Sequence, residues 1–200
     1  NNANSFYKKG LKKYDQNDFK GAISNFTKAI EINSEYAEAY EERGKAKDAL
    51  SDFEGAISDF TKAIKINSEY GDAFYNRGLS KGELKDFKGA ISDFTKAIKI
   101  NPNDGDAFYN RGLSKGELKD FKGAISDYTK AIKIDPNDDD AFVEFRGDAF
   151  YNLGFLKIDL KDFKGAISDF TNVIKINPND AAAYFNRALA KGELKDFKGA

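Results

Sequence analysis

The chain has 200 residues, and its 32 Lys+Arg against 33 Asp+Glu give a formal net charge of −1. That balance argues against a nucleic-acid binder, which needs a positive excess to neutralise phosphates. The absence of Cys and His removes the thiolate nucleophile, the sulfur zinc site and the usual neutral-pH acid/base. Met and Trp are absent too, and a chain without an initiator Met reads as processed, trimmed or part of a longer one. No apolar run nears the roughly 20 residues of a membrane helix, and no signal-peptide pattern opens the chain. Lack of Cys fits either redox environment, so the compartment stays open.

The string Gly-Ala-Ile-Ser recurs with its Gly at 21, 55, 89, 123 and 165, and Gly199-Ala200 begins another copy. The chain therefore reads as one array of 34-residue units at 3–36, 37–70, 71–104, 105–138 and 147–180, an insertion at 139–146, and a partial unit at 181–200. A period of this length marks a supersecondary unit that hides its apolar face only against its neighbours. Units one and two carry Ser34 and Ser68 where later units have Pro102, Pro136 and Pro178. In unit three, Phe74, Gly78 and Leu79 share one helical face, and Ala90, Ile91, Phe94, Ala97 and Ile98 share another. Asp86 is placed to cap the second helix, and Asn103-Asp104 the helix that follows Pro102. Unit four repeats unit three except at Tyr128 and Asp135.

The insertion, Asp139 to Arg146, is close to two helical turns, so it is expected to lengthen the first helix of unit five in phase. Phe142, Phe145, Ala149 and Leu153 then form one stripe. Unit five also replaces Leu, Ser and Gly at unit positions 9, 10 and 12 with Phe155, Leu156 and Ile158. An additional partner contact through Phe142, Phe145 and Ile158 is expected there. Tyr184, Phe185 and Leu189 in the partial unit, with Phe6 and Leu11 at the start, carry the surfaces that join one unit to the next. Head-to-tail stacking into a filament or oligomer is the second functional reading these ends suggest.

Large residues at unit position 4, small ones at 8, Ala at 20 and 27, an aromatic at 24 and Pro at 32 resemble the tetratricopeptide repeat family. Here they are Phe74, Gly78, Ala90, Phe94, Ala97 and Pro102, then Phe108, Gly112, Ala124, Tyr128, Ala131 and Pro136. The resemblance implies an all-α, right-handed superhelical solenoid of antiparallel helix pairs acting as a non-catalytic protein-interaction scaffold. Position 7, usually Leu in the family, departs to Arg43, Arg77, Arg111 and Arg187 and returns to Leu at Leu153. Gly82, Gly116 and Gly192 are expected to soften the first helices, by about 1 kcal/mol each relative to Ala.

In this family the first helices line a concave groove through positions 2, 5, 6, 9 and 12. Carried over, the partner-binding residues are Asp72, Tyr75, Asn76 and Leu79, then Asp106, Tyr109, Asn110 and Leu113, then Asp148, Tyr151, Asn152 and Phe155. Rows of acid, phenol and amide offer an extended peptide both hydrogen bonds and stacking surfaces. The basic and Asn clamp of chaperone-tail binders is missing at Tyr7, Leu11, Asp72 and Asn76, so a C-terminal carboxylate tail is not the expected ligand. Most aromatics fall at positions 4, 5, 17 and 24, chiefly core rows, and this argues for packing rather than base stacking.

Other chemistries fare poorly. Asp135 to Asp140 resembles a calcium loop at its first, third and fifth places, but Asp140 stands where Gly is required and Arg146 where the bidentate Glu belongs. Asn25-Phe26-Thr27 is a formal glycosylation acceptor inside an expected helix. The carboxylates recur as surface rows with no unique pair in a pocket, which gives no reason for paired acid/base catalysis. No catalytic residue, metal or cofactor is expected.

Overall fold

The computed structural model describes residues 2–134 and 140–194, the side chains of 140–145 excepted. Every described element is an α-helix: α1 (Ala3–Asp15), α2 (Phe19–Ile32), α3 (Ala37–Asp48), α4 (Phe53–Ile66), α5 (Gly71–Glu83), α6 (Phe87–Ile100), α7 (Gly105–Glu117), α8 (Phe121–Ile134), α9 (Asp140–Asp159), α10 (Phe163–Ile176) and α11 (Ala181–Glu193). Odd-numbered helices open a repeat and are called A; even-numbered helices close it and are called B. The result is an all-α solenoid built from antiparallel A–B pairs. The chain divides into two compact units, Asn1–Ser114 and Lys115–Ala200.

The turns follow from a few side chains. In repeat three, Asp86 N donates to Lys81 O and Lys85 N to Gly82 O, both at 2.8 Å. These are the two bonds of a Schellman motif, which closes a helix with a left-handed residue. That residue is Lys85, and Asn17, Ser51, Lys119 and Lys161 take the same place, with φ between 58° and 65°. Asp86 then starts the B helix, its Oδ1 accepting from Gly89 N at 3.0 Å. Asp18, Asp52, Asp120 and Asp162 cap their helices in the same way. A Cβ on Gly89 would run into the capping carboxylate, which explains why the recurring string opens on Gly. At the B-to-A turn, Asp104 Oδ1 accepts from Ala107 N and caps α7; of the expected pair Asn103-Asp104 only Asp104 caps, Asn103 donating its backbone N–H to Asn101 Oδ1 within the turn.

The core is a size match between helices. Phe26, Phe60, Phe94 and Phe170 are almost completely buried, each beneath an A-helix glycine. A Cβ on Gly78 would stand 2.7 Å from Phe94 Cε1. Burying each ring contributes on the order of 3 kcal/mol, and that gain depends on the bare glycine opposite. By contrast, a Cβ on Gly82, Gly116 or Gly192 meets nothing within 4 Å.

The arginines at position 7 are structural rather than aberrant. Arg77 Nε and Nη2 donate to the two oxygens of Asp93 at 2.8 and 2.6 Å, and Nη1 donates to Thr61 of the preceding repeat at 3.0 Å. Lys81 Nζ completes the clamp, 2.8 Å from Asp93 Oδ2. Arg43, Asp59, Lys47 and Thr27 repeat the arrangement. Asp59 and Asp93 are buried, so the bidentate geometry compensates their desolvation while tying each B helix to its own A helix and to the repeat before. In repeat five Leu153 removes the arginine. Asp169 stays buried with Lys157 Nζ 2.6 Å from Oδ2, an ion-pair contact without hydrogen-bond alignment. Burial holds the Asp169 carboxyl above the usual range despite that lysine.

Candidate partner-binding face

In the first unit, successive A helices also touch directly, α1 with α3 and α3 with α5, so their shared side is the inner one. Asp72 and Asp106 are exposed on it, while Tyr75, Asn76, Leu79, Tyr109 and Asn110 are half-buried. Leu113 is exposed. In the second unit Asp148 and Phe155 are exposed, and Tyr151 and Asn152 are half-buried.

Position 6 of one repeat bonds to position 5 of the repeat before. Asn110 Nδ2 donates to Tyr75 Oη at 3.1 Å and to Asp106 O at 2.9 Å. Asn186 Nδ2 donates to Tyr151 Oη at 3.0 Å. Both amide protons of Asn110 are thereby used, so within this pair Asn110 Oδ1 remains as an acceptor and the Tyr75 hydroxyl proton as a donor. A peptide unit presents the complementary pair. Burial, then Asp106 and Asp104, push the Tyr75 phenol upward. Tyr75 therefore keeps its donor proton at neutral pH.

Repeat two fills the same five positions with Glu38, Glu41, Glu42, Lys45 and Asp48, a stretch the sequence reading did not single out. The positional rule applied to repeats three to five would have found it. Glu41 is buried and fully engaged: Tyr70 Oη donates to it at 2.6 Å, Asn76 Nδ2 at 3.2 Å, and Lys45 Nζ lies at 2.7 Å. Lys45 also reaches Glu42 at 3.0 Å. One lysine serves two carboxylates, and burial raises the Glu42 carboxyl. Burial works against the charge on Lys45, but its contacts to Glu41 and then Glu42 outweigh it and leave the ammonium above its ordinary value. Burial, with Glu42 next, pushes the Tyr7 phenol up to about 12. This stretch of the face is acidic and lined by Tyr7 and Tyr36, whose rings stand 5.0 Å apart.

Ile158 is half-buried and packs beside Phe170 and Ala166. The side chains of Phe142 and Phe145, and the calcium-like run from 135, lie outside the described residues. Tyr184, Phe185 and Leu189 are 44%, 63% and 50% exposed. Asn25 sits within α2, where its Nδ2 donates to Gly21 O at 2.8 Å. Among the described residues no group of three acidic, His or Cys side chains could hold a metal ion, and no helix is long and apolar enough to cross a membrane.

Helix pairs of fixed period, capped alike and locked by repeated polar clamps, define a helical-repeat protein. Family models described as tetratricopeptide repeat match residues 71–104 and 105–138, and 37–70 and 147–180, and one described as TPR repeat matches 10–47. The chain belongs to the tetratricopeptide repeat family. Its class of function is accordingly a protein-interaction scaffold, and members of the family are in general non-catalytic. No curated protein sequence matches the chain significantly. Among solved structures, MamA is 24% identical with a TM-score of 0.77, covering 86% of this chain and 96% of its own. A MamA fragment from Desulfovibrio magneticus RS-1 is 21% identical with a TM-score of 0.79, covering 90% and 97%. YrrB, described as a TPR protein with an unusual peptide-binding site, is 24% identical with a TM-score of 0.76, covering 90% and 89%. At these identities the likeness is one of fold.

Proposed function

We propose that the A-helix face binds an extended segment of a partner protein. The observation that carries this reading is the bond between position 6 and position 5 of successive repeats. It fixes ring and amide before any ligand arrives, and leaves a hydroxyl proton and an amide oxygen outside that bond. Pre-organisation of this kind lowers the ordering entropy a binding surface loses. The exposed acids Asp72, Asp106 and Asp148 favour basic or neutral segments over acidic ones, and this also disfavours an acidic tail ending in a carboxylate. The test uses a peptide selected on the chain from a random displayed library. Replacing Tyr75, Tyr109 and Tyr151 together by Ala should abolish its binding while far-UV circular dichroism stays unchanged. Undiminished affinity in that variant would show that the face is not the binding surface.

A further inference from the structure

Repeat five departs from its neighbours in one place on this face, and the departures converge. Phe155 stands where repeats three and four have Leu79 and Leu113, Leu156 replaces Ser, and Ile158 replaces Gly. Phe155 sits edge-on to Tyr151 at 5.0 Å and to Phe170 at 5.7 Å, yet remains 41% exposed. One turn further along α9, Ile158 lines a cavity of 440 Å³ with Phe163, Leu189 and Ala190, and Asp159 and Glu193 outnumber Lys161 around it. Leu189 is 50% exposed there. Nearer the start of the same helix, Asp148 and Asp180 flank a second cavity, of 260 Å³, with Tyr151.

The geometry points to a two-pocket subsite in the second unit, and we propose that it takes an extended peptide with a Lys or Arg and a bulky aliphatic or aromatic side chain four or five residues apart. The inference rests on the reading of the A-helix face as a peptide groove. Asp148 and Ile158 are ten residues apart on one helix, about 15 Å at 1.5 Å per residue. An extended chain advances roughly 3.3 Å per residue, so four or five residues span the two pockets. The cavity bordered by Asp148 and Asp180 suits the cation by sign. The cavity of Ile158, Phe163 and Leu189 suits the apolar side chain, whose burial there removes from water both itself and an exposed patch. Both cavities lie within one compact unit.

The substitution that isolates this subsite is Phe155→Leu, Leu156→Ser and Ile158→Gly made together. It installs the residues that repeats three and four carry at the same positions, so the A helix keeps a sequence already compatible with the fold. Random dodecapeptides displayed on phage would be selected on the full chain and on this variant. Peptides selected on the natural chain should share the basic-to-apolar spacing, and a synthetic consensus peptide should bind the variant about tenfold or more weakly. Peptides lacking the apolar residue, or binding the variant equally well, overturn the subsite. The groove reading then still stands if the triple Tyr→Ala change removes binding. A selection that yields no peptide on the natural chain overturns both.

Discussion

The arginine at repeat position 7 shows how a residue that departs from its family's pattern acquires a structural role. Arg77 meets Asp93 with two donors and reaches Thr61 of the repeat before. The buried Asp93 thus depends on a guanidinium and one lysine together. Removing one partner of a buried pair leaves an uncompensated charge, so Arg77→Leu should cost about 3–5 kcal/mol in a urea melt; a midpoint equal to that of the unaltered chain would refute the clamp. Repeat five supplies the reverse case, because Leu153 already leaves Asp169 with Lys157 alone. Its carboxyl is raised by burial, so its contribution to stability is present in acid and declines as pH rises through the folded-state value. Leu153→Arg should favour the ionised form and reverse that sign. The gain in melting temperature from Leu153→Arg is therefore expected at pH 7 and should shrink toward about pH 4, the ordinary carboxyl range. A gain independent of pH would mean that the arginine acts through packing and not through Asp169.

At the scale of the helix, the same residue type has opposite consequences according to what faces it. Gly78 lies over Phe94 with no room for a Cβ, whereas Gly82 faces open space. Gly78→Ala should destabilise the A–B pair by forcing the buried ring aside. Gly82→Ala should stabilise it by about 1 kcal/mol through helix propensity. Thermal melts of the two variants moving in the same direction would contradict this account. Period and composition alone made the B helices legible, because Ala90, Phe94 and Ala97 keep helical spacing and Asp86 announces the cap. The groove positions on the A helices came from the family resemblance and not from chemistry in the residues. The clamps were not legible as clamps, since Arg77 and Asp93 are sixteen residues apart and only the A–B turn brings them together. The acidic stretch of repeat two escaped notice because Glu41 interrupts the tyrosine row, and its burial becomes apparent only once Tyr70 and Asn76 are seen to reach it.

Across the whole molecule, the near-zero net charge conceals a segregation of sign that the clamps produce. On α6, Lys88, Lys96 and Lys99 are exposed, and the helix's one carboxylate, Asp93, is turned inward at 2% exposure. On α8, Lys122, Lys130 and Lys133 are exposed while Asp127 is 3% exposed. Helices α5 and α7 do the opposite: Asp72, Glu83, Asp106 and Glu117 are exposed, and Arg77 and Lys81 of α5 bend toward Asp93. The exposed stripes of α6 and α8 are therefore basic and the exposed faces of α5 and α7 acidic, whereas α1 exposes Lys8, Lys9, Lys12 and Lys13; the chain as a whole carries a formal charge of −1 and a sequence pI near 5.7. The net charge accordingly acts on anionic partners in the far field only, because a surface within a Debye length senses one stripe and not the sum. At about 10 mM ionic strength, where screening sets in near roughly 30 Å, the chain at pH 7 should be retained on a sulfonate cation exchanger despite its pI. Retention should vanish by about 150 mM, where the screening length is roughly 8 Å. Replacing Lys88, Lys96, Lys99, Lys122, Lys130 and Lys133 by Gln should abolish low-salt retention on the sulfonate resin, and the variant should bind an anion exchanger more tightly. Flow-through of the unaltered chain at low salt would mean that the lysine stripes are neutralised locally and that the net charge describes the surface after all.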